Sequence, residues 1–564
     1  MGAYEPNPSY PAIDAQVRRG WDAIAATVPD GKAIVAIDGP AILDWRVALD
    51  QLTASLAQRA IPHRLTRTES SFASWERIVQ RTSTPELAAD PDFARVATAT
   101  LREFFDDLPD VGRPQGEVVI VAGPGSALAD HDVLWYVDLP KRFAEGVVRR
   151  GEGRNLGQSE DGAATTRRLF YIDWPVLDRH RESIAPAIDL WIDFQDPAQP
   201  ASVDGSALRR TIASLASRPF RTRPTFNTAP WGGHWGQRVL GHSREAPNTA
   251  IGYELIAPES GVLIGDPNGP NVEIPFQLIV GIRGGDILGQ AAQVAFGGSF
   301  PIRFDYLDTV DGGNLSIHCH PQLDYMRRIF GWEYTQHESY YVMVGGDGAK
   351  IFLGLQEDVD LAAFERAART AIDEGEPFDI GAFVQAFPAD PHRLFMIPAG
   401  TPHGSGDGNV VLEVSATPYL YSLRFYDWLR RDSDGALRAV PIDHAFANLD
   451  RERQGAAAVR DLIQEPRVIR SGDGWREESI GSLPEVFYEV RRLVLETERS
   501  VDSTTDGRFH VLNVVDGEGV TIDTAVGSHP LNYAETIVIP AAVGRYRLTR
   551  AGKEPVRIVK ALVR

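Results

Sequence analysis

An α/β domain followed by two antiparallel β-barrels is the fold class that the sequence predicts, and three observations predict it. The first 223 residues alternate apolar runs of strand length with helical patterns. From about Pro224 the texture changes to short β-rich runs punctuated by Pro, Gly, Asn and Ser, which is the pattern of antiparallel barrels. A polar, charged stretch, Leu449 to Arg460, then leads to a second block of such runs. The expected domains are residues 1–223, 224–446 and 447–564, a division that 564 residues, 43% of them hydrophobic, readily support.

In the first domain, Ala33 to Ile37 reads as a buried strand and Asp38-Gly39-Pro40 as a loop. A helix is expected from Trp45 to Arg59, where Trp45, Leu49, Leu52 and Leu56 recur at turn spacing. Val118 to Val121, Leu134 to Val137 and Leu190 to Phe194 read as further strands of a parallel sheet, which makes the domain doubly wound. In the second domain, Leu361 to Asp373 has amphipathic helical spacing and another helix is expected near Ile380 to Phe387. Both read as an insertion between barrel strands. In the third, strands are expected at Phe487 to Leu495, Arg508 to Val515, Val520 to Thr524, Glu535 to Pro540 and Val556 to Leu562.

Composition narrows the function. With 77 acidic against 57 basic residues the formal charge is −20, which repels nucleic acid and anionic membranes. Cys319 is the single cysteine, so no intramolecular disulfide can form. No stretch approaches the roughly 20 apolar residues of a membrane helix, and Met1 to Pro6 lacks a basic region followed by an apolar run. A cytoplasmic enzyme acting on a small molecule is the expectation; oligomeric state is not legible.

The residues that carry chemistry begin at His318-Cys319-His320-Pro321. Side chains alternate along a strand, so His318 and His320 share a face and Cys319 takes the other. Glu338 and His403 complete a three-histidine, one-glutamate set if a barrel brings their strands together, and such a set suits zinc, iron or manganese.

Six motifs in order, Pro230 to Gly233, Leu315 to Pro321, Gln336 to Tyr341, Ile397 to Gly404, Val411 to Val414 and Arg424 to Trp428, make residues 226 to 564 resemble class I mannose-6-phosphate isomerases. These are zinc-dependent enzymes of the cupin (jelly-roll) fold. The resemblance implies that His320, Glu338 and His403 are metal ligands, with His318 where the family usually has a glutamine ligand. It implies catalytic roles for Glu413 and Arg424, and a substrate pocket lined by Trp231 and Glu254. Gln336 stands where the family has a lysine facing the substrate, and it supplies hydrogen bonds without charge. Lys350, in the next strand, is a further candidate for the pocket. The implied activity is interconversion of mannose 6-phosphate and fructose 6-phosphate through an enediol, with one zinc per chain. Two alternatives stand beside it: an isomerase or epimerase of an unphosphorylated or different sugar, and a non-catalytic sugar-binding regulator. In the last domain, Ile539 to Arg545 resembles Ile397 to His403 but puts Arg545 at the histidine position, so a metal-free cupin is expected.

The strand beginning at Ala33 and the run Gly116 to Gly123 resemble P-loop kinases of the uridine kinase type. The loop Asp38 to Arg46 lacks Gly-Lys-Ser/Thr, and Asp44 adds repulsion where a triphosphate would sit. Arg46, Arg149, Arg150 and Arg154 read as solvated surface arginines. The resemblance therefore implies a degenerate kinase-like domain without activity.

Overall fold

The computed structural model describes residues 3–29, 32–158, 162–416, 419–431, 435–497 and 499–564. Met1 and Gly2, where the reading of the chain start began, lie outside them.

The N-terminal region is built on a seven-stranded sheet. Its order is Arg18–Arg19, Ala201–Asp204, Leu190–Asp193, Val133–Asp138, Ile34–Asp38, Val118–Ala122 and His63–Arg67. The last five run parallel, and the first two are antiparallel additions at one edge. Alternation in the central strand explains the two covered faces. Val35 and Ile37 pack with Trp45, Leu49, Leu52 and Leu56 of the helix Trp45–Gln58, whereas Ala36 joins Leu208 and Ile212 of the helix Gly205–Leu215 on the opposite face. The first helix starts where it does because the Asp44 carboxylate accepts from the Val47 backbone N–H at 3.0 Å.

The middle region holds two antiparallel sheets. One has six strands in the order Leu394–Ile397, Glu338–Gly345, Asn409–Ser415, Arg303–Asp308, Ile251–Leu255 and Thr225–Asn227. The other has five: Val384–Pro388, Lys350–Leu355, His403–Ser405, Ile317–Cys319 and Leu423–Tyr426. The helix Leu361–Asp373 forms as expected, started by Asp360 capping the Ala363 N–H. The second expected helix does not. Ile380–Ala382 makes one tight turn, and Val384–Pro388 alternates as a strand against Lys350–Leu355. Two helices unforeseen in the sequence, Phe276–Leu288 and Gln290–Phe296, follow the strand Asn271–Pro275. The apolar run Phe276 to Val280 is buried as helix because it packs against the helices Trp174–Ile184 and Gly205–Leu215 of the N-terminal region.

The C-terminal region repeats the two-sheet plan, with six strands in one sheet and four in the other. In its interior, Leu493, Leu512, Val514, Ile522, Leu548 and Ile558 form an apolar cluster drawn from both sheets, and at one end of the same faces the buried Lys560 pairs with the buried Glu477. Five of its strands, Arg467–Gly472, Trp475–Gly481, Ser500–Thr504, Gly527–Asn532 and Arg545–Arg550, are too rich in charge and polar groups to stand out as apolar runs.

Buried polar contacts bind the regions together. Arg142 and Arg223 both pair with Glu273, which is almost fully buried, and Arg221 pairs with Glu535 at 2.8 Å. The first described residues cross the whole molecule. Ser9–Tyr10 pairs in parallel with Gly261–Gly265, the Tyr4 hydroxyl donates to Glu254, and the Glu5 N–H donates to Glu535 at 2.7 Å. No helix among the described residues is long and apolar enough to cross a membrane.

Candidate metal centre

Strand geometry assembles the four predicted ligands. His318 sits within Ile317–Cys319, and His320 follows that strand's end with its side chain on the same side. Cys319 points away, with its Sγ 3.9 Å from the Ala445 carbonyl. His403 opens the neighbouring strand directly opposite His318, and Glu338 opens a strand of the facing sheet. One ligating atom from each of the four lies within 4.8 Å of the others, and all four side chains are buried.

The hydrogen bonds around the rings fix which nitrogen faces inward. Nδ1 of His318 lies 3.0 Å from the Ser316 carbonyl, Nδ1 of His320 lies 3.1 Å from the Tyr421 carbonyl, and Nδ1 of His403 lies 2.9 Å from the Thr401 carbonyl. A carbonyl only accepts, so each Nδ1 carries the proton and each Nε2 of a neutral ring presents a lone pair. Burial, then the neighbouring His403 and His320, push the His318 imidazole well below its usual range and keep it neutral. Nε2 of His320 stands 2.8 Å from Oε1 of Glu338, and Nε2 of His403 stands 2.9 Å from its Oε2. Neither nitrogen has a hydrogen-bond partner, and neither does Glu338 Oε2. Bare lone pairs and a carboxylate converging out of water repel one another unless a cation lies between them, so this donor set fits a divalent metal. The carbonyls behind each ring are the outer partners that metal-bound histidines need.

A cavity of about 300 Å³ opens beside this centre, lined among others by Trp231, Tyr253, Tyr340, Glu413 and Arg424. Arg424 is the cross-strand partner of His318, and its guanidinium donates to the Ala439 carbonyl at 3.0 Å. Gln336 also lines the cavity, but its amide N–H donates to Glu338 Oε1, which leaves its own oxygen without a partner. Gln336 therefore orients the ligand carboxylate as well as facing the cavity.

Two predicted pocket residues are elsewhere. Alternation along Ile251–Leu255 gives the cavity to Tyr253 and turns Glu254 the opposite way, where it accepts from Tyr4 and from the Thr536 N–H at 2.9 Å. Burial pushes the Glu254 carboxyl up to about 7 in that network. Lys350 begins its strand exposed to solvent, away from the cavity.

The structure adds Asp305, which sequence reasoning missed. It faces Glu413 directly across paired strands, is buried, and lies 4.0 Å from the Arg303 guanidinium. Burial, despite Arg303, pushes Asp305 up to about 7. Burial, then Asp305 and Glu338, push Glu413 well above the usual carboxylate range. Like charges facing each other do not both ionise readily, so at least one of the two carboxyls holds a proton at a pH where an isolated carboxylate would have lost it. The signal was present in Arg303-Phe304-Asp305-Tyr306, where charged and aromatic residues alternate with period two.

The C-terminal region differs at the equivalent place. Arg545 is exposed, and His510 Nδ1 lies 2.8 Å from the Tyr546 hydroxyl.

A family model described as a domain of unknown function (DUF8485) matches residues 20–217. The mannose-6-phosphate isomerase of Streptococcus mutans serotype c is 28% identical over 223 residues, which is 38% of this chain and 63% of that protein, so the match spans less than two thirds of that relative. The mannose-6-phosphate isomerase ManA of Bacillus subtilis strain 168 is 24% identical over 260 residues, 45% of this chain and 73% of that protein. Among solved structures, the mannose 6-phosphate isomerase from Bacillus subtilis aligns with a TM-score of 0.47 at 19% identity, covering 61% of this chain and 99% of that one. A zinc-bound mannose 6-phosphate isomerase aligns with a TM-score of 0.46 at 15% identity, covering 61% and 99%. Both curated relatives are mannose-6-phosphate isomerases, similar to this chain over less than half of its length.

Proposed function

We propose that this chain is a metal-dependent aldose–ketose isomerase with a cupin-type centre, that zinc is its metal, and that mannose 6-phosphate and fructose 6-phosphate are its substrate pair. The observation that carries the reading is the convergence of three imidazoles and Glu338 beside a cavity whose next carboxyls, Asp305 and Glu413, burial holds above the usual carboxylate range. The names of the curated relatives supply mannose 6-phosphate, and aldose–ketose isomerisation of that sugar gives fructose 6-phosphate.

Aldose-to-ketose conversion moves one proton from C2 to C1 and one from O2 to O1. His318, His320, Glu338 and His403 would hold a divalent ion, whose Lewis acidity polarises the carbonyl and hydroxyl oxygens of an open-chain sugar. Glu413, with Asp305 across from it, takes the proton from C2 and returns it to C1, a task for which a buried carboxyl with raised proton affinity is suited. Arg424 keeps its charge at any working pH and holds the negative oxygen of the enediolate. Tyr340, whose buried hydroxyl has no partner in the protein, faces the same cavity and is placed to bond a sugar hydroxyl. Gln336 steadies Glu338.

One observation favours a second reading, an unphosphorylated sugar. Arg303 and Arg438, which line the cavity, are already engaged by the buried carboxylates of Asp305 and Asp427, the latter at 2.7 Å. Incubating the metal-loaded protein with mannose 6-phosphate and separately with free mannose decides between them. Turnover of the phosphate ester that a chelator abolishes supports the first reading, and turnover of mannose alone selects the second. No turnover of either ends the isomerase proposal in favour of a binding protein.

A further inference from the structure

A cavity of about 700 Å³, more than twice that beside the histidines, lies in the α/β region. The sheet topology places it. The chain leaves Ile34–Asp38 toward the edge strand His63–Arg67, and leaves the adjacent strand Val133–Asp138 toward Leu190–Asp193 on the other side. Neighbouring strands that send their connections in opposite directions open a crevice at their carboxyl ends, which is where open α/β sheets take ligands. The lining agrees: Ala41 to Arg46 follow the first strand, Leu139 to Phe143 include residues that follow the second, and Phe194 follows the third.

The wall chemistry is specific. Arg46, Arg67, Arg142, Arg150 and Arg154 line the crevice; Arg142 is held by the buried Glu273, whereas Arg46, Arg67 and Arg150 meet Asp50, Glu69 and Glu152 only in exposed pairs, which are weak enough to yield to a phosphate. Three of the four arginines expected to be merely solvated are thus gathered at one cavity, while Arg149 pairs with Glu145 outside it at 3.8 Å. Ile42, Leu43, Trp45, Phe143, Val147 and Phe194 supply apolar wall, and Phe143 is 40% exposed. Guanidinium forks match the geometry of a phosphate group, and an exposed ring offers a face to an apolar or cyclic body.

A nucleoside triphosphate fits less well. The lining contains no Lys, Ser or Thr, so neither the usual phosphate ammonium nor a hydroxyl for magnesium is present. Asp44 already occupies the N-terminus of the helix that follows the loop. Asp38, beneath it, accepts from the Gly39, Gly125 and Ala127 N–H groups, which are thereby unavailable to a phosphate chain.

We infer that this crevice binds a compact organic phosphate, a monoester whose phosphate meets the arginines and whose body lies against Phe143 and Trp45. Calorimetric titration of the full chain with phenyl phosphate, inorganic phosphate, phenylacetate and ATP with magnesium tests it. Phenyl phosphate is expected to bind more tightly than the other three. A double Arg46→Ala, Arg150→Ala change, at two side chains 73% and 59% exposed, is expected to weaken both phosphate and phenyl phosphate by about tenfold or more. Phe143→Ala should weaken phenyl phosphate alone, and Arg59→Ala, on the exposed helix end outside the crevice, neither. Absence of phosphate binding overturns the inference, as does tighter binding of ATP or phenylacetate. Binding that is lost in His403→Ala but kept in the arginine double variant also overturns it, by moving the site to the metal cavity.

Discussion

Glu413 and Asp305 hold protons more tightly than isolated carboxylates because each faces the other from a buried position. Removing the charge at one of them is therefore informative. Glu413→Gln is expected to lower kcat by roughly 10²- to 10⁴-fold while KM stays within a few-fold, as steady-state kinetics on the active sugar would register. His403→Ala removes one of four ligands, and the purified variant should retain well under one divalent ion per chain by elemental analysis while remaining folded by circular dichroism. A pH effect belongs to Glu254, far from that chemistry. Its folded pKa of about 7 exceeds the ordinary value of 4.5, so the native state holds the proton between those values. The stability it contributes is complete below about 4.5 and is lost as pH rises through about 7. Glu254→Gln should flatten that fall, by on the order of 1–3 kcal/mol across the window in denaturant melts at several pH values. The four candidate ligands were legible in the sequence because His-x-His sets two imidazoles on one strand face and the ordered motifs around Glu338 and His403 resemble those of a known family. Asp305 was not, because an isolated aspartate acquires meaning only from the residue registered opposite it, 108 positions later. Glu254 misled for a related reason: it is adjacent to the cavity residue Tyr253, but in a strand adjacent residues point apart.

The strand Arg303–Asp308 does two jobs at once, and alternation makes that possible. Arg303 and Asp305 turn toward the metal cavity, whereas Tyr306 turns outward, donates to the Ala534 carbonyl at 2.7 Å and accepts from the Asn513 amide at 2.6 Å. Tyr306→Phe would leave both C-terminal partners short of a hydrogen bond in a buried setting. A loss of about 1–3 kcal/mol in thermal or denaturant unfolding is expected, without loss of bound metal. Elements with strong local signals were readable, among them the helix Trp45–Gln58 and the strands Val118–Ala122 and Val556–Val563. Those whose conformation is decided by a distant surface were not. Phe276 to Leu288 is apolar enough for a strand and becomes a helix because two helices of the N-terminal region offer it a groove. Val384–Pro388 is claimed by the open edge of Lys350–Leu355.

At the scale of the molecule, three regions are joined by buried ion pairs that none of them could satisfy alone. Glu273 needs Arg142 and Arg223, and Glu535 needs Arg221. A fragment starting at residue 224 would keep those carboxylates and lose their arginines, and each unpaired buried charge costs several kcal/mol. Such a fragment is expected to be markedly less stable than the full chain, or insoluble, by thermal unfolding and size-exclusion chromatography. Even removal of residues 1–11 should lower the melting temperature by several degrees, because Tyr4, Glu5 and Ser9–Tyr10 all bond to other regions. That crossing segment also sets a schedule. Glu5 emerges from the ribosome long before Glu535 exists to receive its N–H, and at ordinary elongation rates the wait is between roughly 25 and 105 s. Within that interval Tyr4 can dock on Glu254 and Ser9–Tyr10 on Gly261–Gly265, but the Glu5 bond waits, so the molecule locks fully only when its last barrel closes over its first residues.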